Sequence, residues 1–156
     1  MNEELQTKQK LLDSARADFL EHGFKNASLR RICKNAGVTT GALYFFFKNK
    51  EDIFEAVISE PLALFGKMFE RLVNAEFADA SAFENSEEEM IRFLLRYRTE
   101  VIIILEKSEG TKYEGFKARY LQTLEGVFAK FFRKYLKNPD PKLIHVITAM
   151  RFYGYL

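Results

Sequence analysis

Two glycines divide the first fifty residues of this 156-residue chain into helix-length pieces. Upstream of Gly23, over roughly residues 5–22, Leu11, Leu12, Ala15, Phe19 and Leu20 recur at three- and four-residue spacing, the stripe of a helix buried on one side. Gly23 supplies the left-handed stop. Ser28 then offers an N-cap to a second helix, with Leu29, Ile32, Cys33 and Ala36 facing inward. Gly37 ends it, Val38 plugs the turn, and Thr39 or Thr40 caps a third helix. Leu43 and Phe47, four apart, face inward from that third helix. Helices this short and this closely stopped bury their stripes against one another, so the chain begins with a three-helix head.

The rest also reads as helix, and nothing resembles a strand ladder. Asn49-Lys-Glu-Asp52 has the form of a capping arrangement opening a long fourth helix, with Ile53, Phe54, Val57 and Ile58 on its buried face. Pro61 lies inside that pattern, so a kink or break is expected there. Leu62, Phe65, Met68, Phe69 and Leu72 continue the stripe. Residues 74–85 read as a polar connector. Ser86-Glu-Glu-Glu89 is a capping box for a helix to about Lys107, and Thr111-Lys-Tyr-Glu114 another for a helix or helix pair to about Lys137. In Asn138-Pro-Asp-Pro141, Asp140 is the N-cap and Pro141 the first residue of the last helix. The final Arg151-Phe-Tyr-Gly-Tyr-Leu156 is apolar and uncapped, so a partner chain or further sequence is expected to cover it. The expected fold is all-α: a head over residues 1–50, joined by a fourth helix from about residue 50 to a helical body over 51–156.

Composition narrows the function classes. The longest apolar run, Val101–Leu105, falls far short of the roughly 18 residues a membrane span needs, so no membrane association is expected. The start, Met1-Asn-Glu-Glu, lacks the basic-then-apolar pattern of a secretion signal. One cysteine leaves no internal disulfide, which suits a reducing cytoplasm. Catalytic material is thin. His22 sits beside a helix-ending glycine, His145 is isolated on the last helix, and Cys33 reads as a small core residue. Two histidines and one cysteine far apart make no metal signature, and Glu87-Glu-Glu89 is better explained by capping than by cation binding. No enzyme, metal or cofactor is expected.

Charge points elsewhere. Residues 1–50 hold nine Lys/Arg against five Asp/Glu, whereas residues 51–156 hold fifteen against seventeen. Between Glu21 and Glu51 there is no acid at all, only Lys25, Arg30, Arg31, Lys34, Lys48 and Lys50. A basic surface on two helices joined by a glycine turn is what a duplex phosphate backbone attracts. In such a helix-turn-helix the second helix of the pair enters the major groove. Thr40, Gly41 and Ala42 are small enough to bring backbone close to base edges, and Ala42 can touch a thymine methyl. Tyr44 can donate to phosphate, Phe45 can make apolar contact with thymine methyls or sugar edges, and Lys50 combines its charge with a helix N-terminus. Ser28 and Arg30 begin the supporting helix on the same side.

The run Leu11-Leu-Asp-Ser-Ala-Arg-Ala-Asp-Phe-Leu-Glu-His-Gly-Phe24, then Ser28-Leu-Arg-Arg-Ile32, Ala36-Gly-Val-Thr-Thr-Gly-Ala-Leu-Tyr44 and Phe47-Lys-Asn-Lys-Glu-Asp-Ile53, resembles the tetracycline-repressor (TetR) family over residues 5 to 60. The resemblance implies a transcriptional regulator, most often a repressor, that binds a palindromic DNA operator as a homodimer and is released by a small effector held in the body. By matching position it implies groove contacts from Thr40, Gly41, Ala42 and Phe45, and phosphate contacts from Tyr44 and Lys50, with Ser28 and Arg30 at the supporting helix; Thr39 and Phe46 complete the DNA-binding candidates. Three positions depart from the family pattern. Arg31 stands where an acid is frequent, which is expected to strengthen nonspecific binding; Cys33 replaces an alanine; Phe46 replaces a polar aromatic, which puts that phosphate contact in doubt. The body diverges too far for transfer. Its aromatic surplus nominates Phe65, Met68, Phe69, Phe93, Tyr97, Tyr113, Phe116 and Tyr120 for an apolar effector pocket, with ordinary core as the plain alternative. The chain is shorter than most members and is expected to hold at most the first of the two helices that usually pair across the dimer axis. The rival reading is a non-regulatory DNA-binding or protein-interaction module with the same head.

Overall fold

The computed structural model describes the backbone of residues 2–74 and 80–154, and their side chains except at 2, 72–74, 80–87, 131, 134, 135 and 151–153. Among the described residues there are seven helices and no strand: α1 Asn2–Asn26, α2 Leu29–Ala36, α3 Thr40–Phe46, α4 Lys50–Asn74, α5 Ala80–Glu106, α6 Phe116–Tyr135 and α7 Pro141–Tyr153. The expected all-α fold is what forms. The expectations placed on Leu72 and on the aromatic C-terminal end lie outside the described side chains. Two compact units divide the chain, Met1–Leu62 with Thr99–Glu114, and Ala63–Arg98 with Gly115–Leu156.

In the first unit the stripe residues Leu11, Ala15, Phe19, Ile32, Leu43, Ile53 and Ile58 are fully buried, together with Ile103 from the end of α5. Phe54 stands edge-on to Phe19 and Phe24 at 5.0 and 5.2 Å between ring centres, the geometry aromatic quadrupoles favour. Gly23 leaves helical geometry at φ 72, ψ 164, a conformation open to glycine and strained for other residues. That turn aims the Phe24 N–H at the Lys107 carbonyl, which accepts it at 2.8 Å. Ion pairs join the same pieces: Arg16 to Glu100 at 2.6 Å, Lys25 to Glu109 at 2.7 Å and Lys112 to Glu55 at 2.6 Å.

Three local expectations are corrected. Thr111-Lys-Tyr-Glu114 does make capping-type bonds, since the Thr111 hydroxyl accepts from the Tyr113 N–H at 3.0 Å and the Glu114 carboxylate from the Gly110 N–H at 2.9 Å. They close a turn instead of opening a helix, because Gly115 follows in the left-handed region at φ 74 and α6 starts only after it. Ser86–Glu89 does not open a helix either: α5 has already begun at Ala80, in a stretch whose alanines favour helix. Finally, α4 is continuous through Pro61. Proline removes one backbone N–H there, and burial of Val57, Ile58 and Pro61 itself holds the helix together across the gap. Asn49 caps α4 as expected, accepting from the Asp52 N–H at 2.8 Å while Asp52 accepts from the Lys48 N–H at 2.9 Å.

The second unit is built on rings. Phe65 lies 5.0 Å from Tyr120, 5.8 Å from Phe93, 6.3 Å from Phe69 and 6.4 Å from Phe116. Leu124 and Phe128 of α6 are buried, as are Ile144 and Thr148 of α7. Asp140 caps α7 through the Lys142 N–H at 2.9 Å, with Pro141 as its first residue.

Candidate nucleic-acid interface

α2 and α3 are set at the surface by caps written into the sequence. Gly37 takes the left-handed conformation that closes α2, at φ 67 and ψ 31. The Thr39 hydroxyl accepts the Ala42 N–H at 3.1 Å and starts α3, leaving Thr39, Thr40 and Gly41 exposed and Ala42 half-buried. Leu43 and Phe47 are buried and anchor the inner side. Tyr44 and Phe45 project outward, 56% and 72% exposed. These large side chains thus stand in solvent on the face that also carries Thr40 and Gly41. Phe46 is half-buried and stands perpendicular to Phe45, its ring centre 4.9 Å away.

The cations of the acid-free window separate into two groups. Arg31 is bidentate on Asp18, through its Nε and, at 2.9 Å, its Nη2. The hydrogen bond that the guanidinium donates to Asp18 raises the Arg31 pKa further above its ordinary value. Asp18 is almost wholly buried and also accepts the Ser28 N–H at 3.0 Å, so a single carboxylate fixes the start of α2. Arg31, expected to strengthen nonspecific binding, is thus already engaged by a carboxylate of the protein. Lys25 is likewise engaged by Glu109, whose hydrogen bond holds its pKa above the ordinary value. Arg30, Lys34 and Lys48 are exposed.

Lys50 is half-buried at the first position of α4. Its ammonium donates to the carbonyls of Lys25 at 3.1 Å and Ala27 at 3.3 Å, 4.5 Å above the Phe24 ring. Its position is thereby held. Two participants escaped the sequence reading. Asp18 sits on the apolar stripe of α1, seven residues after Leu11 and three after Ala15, and that misplaced acid was the available signal. Lys8, outside the acid-free window, is exposed on α1 with its ammonium 5.9 Å over the Phe47 ring beside the C-terminal end of α3.

Of the residues nominated for an effector, Phe65, Phe69, Phe93, Phe116 and Tyr120 share the ring cluster, and Tyr97 joins through Phe93 at 5.4 Å. Met68 is buried on α4. Tyr113 belongs to the first unit, where its ring lies 6.2 Å from Phe54. Cys33 is buried beneath the turn, and burial pushes its thiol pKa up.

Capped helices joined by a left-handed glycine, with a slim second helix presented among exposed cations, define a helix-turn-helix protein. Residues 11–57 match the family described as bacterial regulatory proteins, tetR family. The match lies in the head of the chain. It is 41% identical over 52 residues to the transcriptional regulator UidR of Escherichia coli strain K12, a match covering 33% of this chain and 26% of that one. With the transcriptional regulator SAB2452 of Staphylococcus aureus it shares 25% identity over 129 residues, 83% of this chain and 69% of the relative. The matched head is thus about a quarter of the length of UidR. Among solved structures, the SmeT–triclosan complex has the same fold at TM-score 0.56 and 24% identity, over 95% of this chain and 79% of that one.

Proposed function

We propose that this chain is a ligand-responsive transcriptional regulator. A homodimer places α3 of each protomer in the major groove of a palindromic operator, represses the adjacent gene, and is released by a small apolar or aromatic effector. Residues 1–50 serve as the DNA-binding domain and residues 51–156 as the effector-binding and dimerisation domain, in the cytoplasm. One observation carries the reading: the outward face of α3 offers Thr40, Gly41, Tyr44 and Phe45 without a charge, while the exposed cations lie beside it. A helix that slim fits a groove about 12 Å wide, and cations at its margins meet the phosphates.

In this scheme Thr39, Thr40, Gly41, Ala42 and Phe45 meet base edges, and Phe46 supports Phe45. Tyr44, Ser28, Arg30 and Lys50 meet phosphate. The seat under Lys50 supports its part, because an ammonium held in place gives up less side-chain entropy on binding. The effector reading draws on the ring cluster around Phe65 and on the triclosan bound by a protein of the same fold. The dimer reading draws on α7, where Leu143, Val146 and Met150 recur at helical spacing, 48%, 49% and 70% exposed. An apolar stripe of that kind is favourable when a second copy covers it.

The test is footprinting on DNA upstream of the chain's own gene at about 150 mM salt, a level at which nonspecific binding is weak. Protection of one or a few palindromic sites, lost on adding a small apolar compound from a screen, supports the proposal. Uniform coating with no response to any compound points to the non-regulatory module. Absence of protection on every duplex removes the DNA reading.

A further inference from the structure

We infer that base choice at this interface rests on the C5-methyl group of thymine, read by the Phe45 ring with Phe46 as its brace. The inference rests on the proposed major-groove placement of α3 and asks what chemistry that helix has for reading bases. The seven residues Thr40-Gly-Ala-Leu-Tyr-Phe-Phe46 contain no Arg, Lys, Asn, Gln, Asp or Glu. The bidentate codes, arginine on guanine and asparagine or glutamine on adenine, are therefore closed to it. What remains outward is two hydroxyls, on Thr40 and on the Tyr44 ring, the half-buried Ala42 methyl, and the wholly apolar ring of Phe45.

That ring is 72% exposed in the free protein. Phe46, itself half-buried, meets that ring perpendicularly, which limits the directions in which Phe45 can swing. A benzene ring neither donates nor accepts a conventional hydrogen bond. In the major groove the apolar group offered by a base edge is the thymine methyl, and cytosine, adenine and guanine present polar atoms instead. A ring that excludes water from the groove wall thus favours a methyl-bearing pyrimidine and penalises every polar edge left without a partner. Ala42, one turn earlier, is half-buried and adds little to that apolar contact.

Two consequences separate this from reading by hydroxyl contacts or by DNA shape. Thymine and uracil pair identically and differ only in that methyl group, so uracil erases the signal without changing the hydrogen-bonding edge. Phe45 also carries the discrimination alone, since Thr40 and Tyr44 make the same polar contacts to either base. The purified full chain is first used to select a duplex from a randomised pool of about 30 base pairs. Each thymine of the selected duplex is then replaced singly by deoxyuridine, and Kd is measured by fluorescence anisotropy.

One or two positions per half-site are expected to weaken about fourfold, the value of one buried methyl, with flanking thymines silent. Phe45→Ala, at an exposed site where helical content should not change, is expected to bind thymine and uracil duplexes alike. A selected duplex that tolerates uracil everywhere overturns the inference while leaving the DNA reading intact. So does a Phe45→Ala variant that keeps the fourfold preference. A pool from which no duplex is enriched overturns the underlying placement of α3 instead, and the methyl inference with it.

Discussion

Salt titration of duplex binding separates cations free to meet phosphate from those already paired with a carboxylate of the protein. The acid-free window together with Lys8 contains seven cations. Arg31 is bound by the buried carboxylate of Asp18 and Lys25 by Glu109. That leaves Lys8, Arg30, Lys34, Lys48 and Lys50, five per chain. Each phosphate neutralised contributes about −0.9 to the slope of log K against log salt. Those five acting together give an expected slope near −4.5 per bound chain, or about a 500-fold loss of affinity between 50 and 200 mM salt. All seven cations acting together would give about −6.3 and a loss of roughly 6,000-fold over the same range.

The assay is anisotropy on a labelled duplex of about 15 base pairs without operator sequence, at several salt concentrations, with stoichiometry fixed by titration at low salt. Arg30→Met and Lys50→Met should each flatten the slope by about one. Arg31→Met should leave it unchanged, provided the variant is measured where it is fully folded. A slope steeper than −5.5 per chain, or an Arg31→Met variant that flattens it by one, would refute the partition of charges drawn from the ion pairs.

Stability offers three further checks. Asp18→Ala strips the Ser28 N–H of its acceptor and should cost about 1–3 kcal/mol, read as a lower urea midpoint; an unchanged midpoint would deny Asp18 its part in holding α2. Phe54→Ala empties the space between Phe19 and Phe24, and should cost about 3–5 kcal/mol, with a clearly smaller cost for Phe54→Leu, which keeps most of the volume. Equal costs would show that the ring does not close that core. Burial raises the Cys33 thiol pKa, so its contribution to stability is complete below the unfolded thiol's pKa of about 8.5 and is lost as pH rises through the folded value. Wild type should therefore lose more urea stability than Cys33→Ala above about pH 8.5, and parallel pH profiles would count against it.

Much of this protein was legible in the order of its residues because the signals are local. Leu11, Ala15 and Phe19 mark a helix face by spacing, Gly37 closes α2 because it tolerates positive φ, and Thr39, Asn49 and Asp140 cap helices with their own side chains. Such effects act within one turn of chain, so reading them needs no partner from elsewhere. The same locality misleads where one sequence pattern can serve two conformations. Thr111-Lys-Tyr-Glu114 makes capping bonds within a turn, and only the left-handed backbone of Gly115 delays the helix to Phe116.

What each charge is for lay beyond the sequence. By itself it determined a helix-turn-helix head, a basic surface and an uncharged second helix in that motif. Tertiary structure decided which cations remain available, because neutralisation depends on where the chain brings a carboxylate: Asp18 to Arg31 across thirteen residues and Glu109 to Lys25 across eighty-four. It likewise seated Lys50 on the carbonyls of Lys25 and Ala27, and left Phe45 in solvent while Leu43 and Phe47 went inward. Charge is a property of a residue, but its availability depends on distance and burial, and those exist only once the chain has folded.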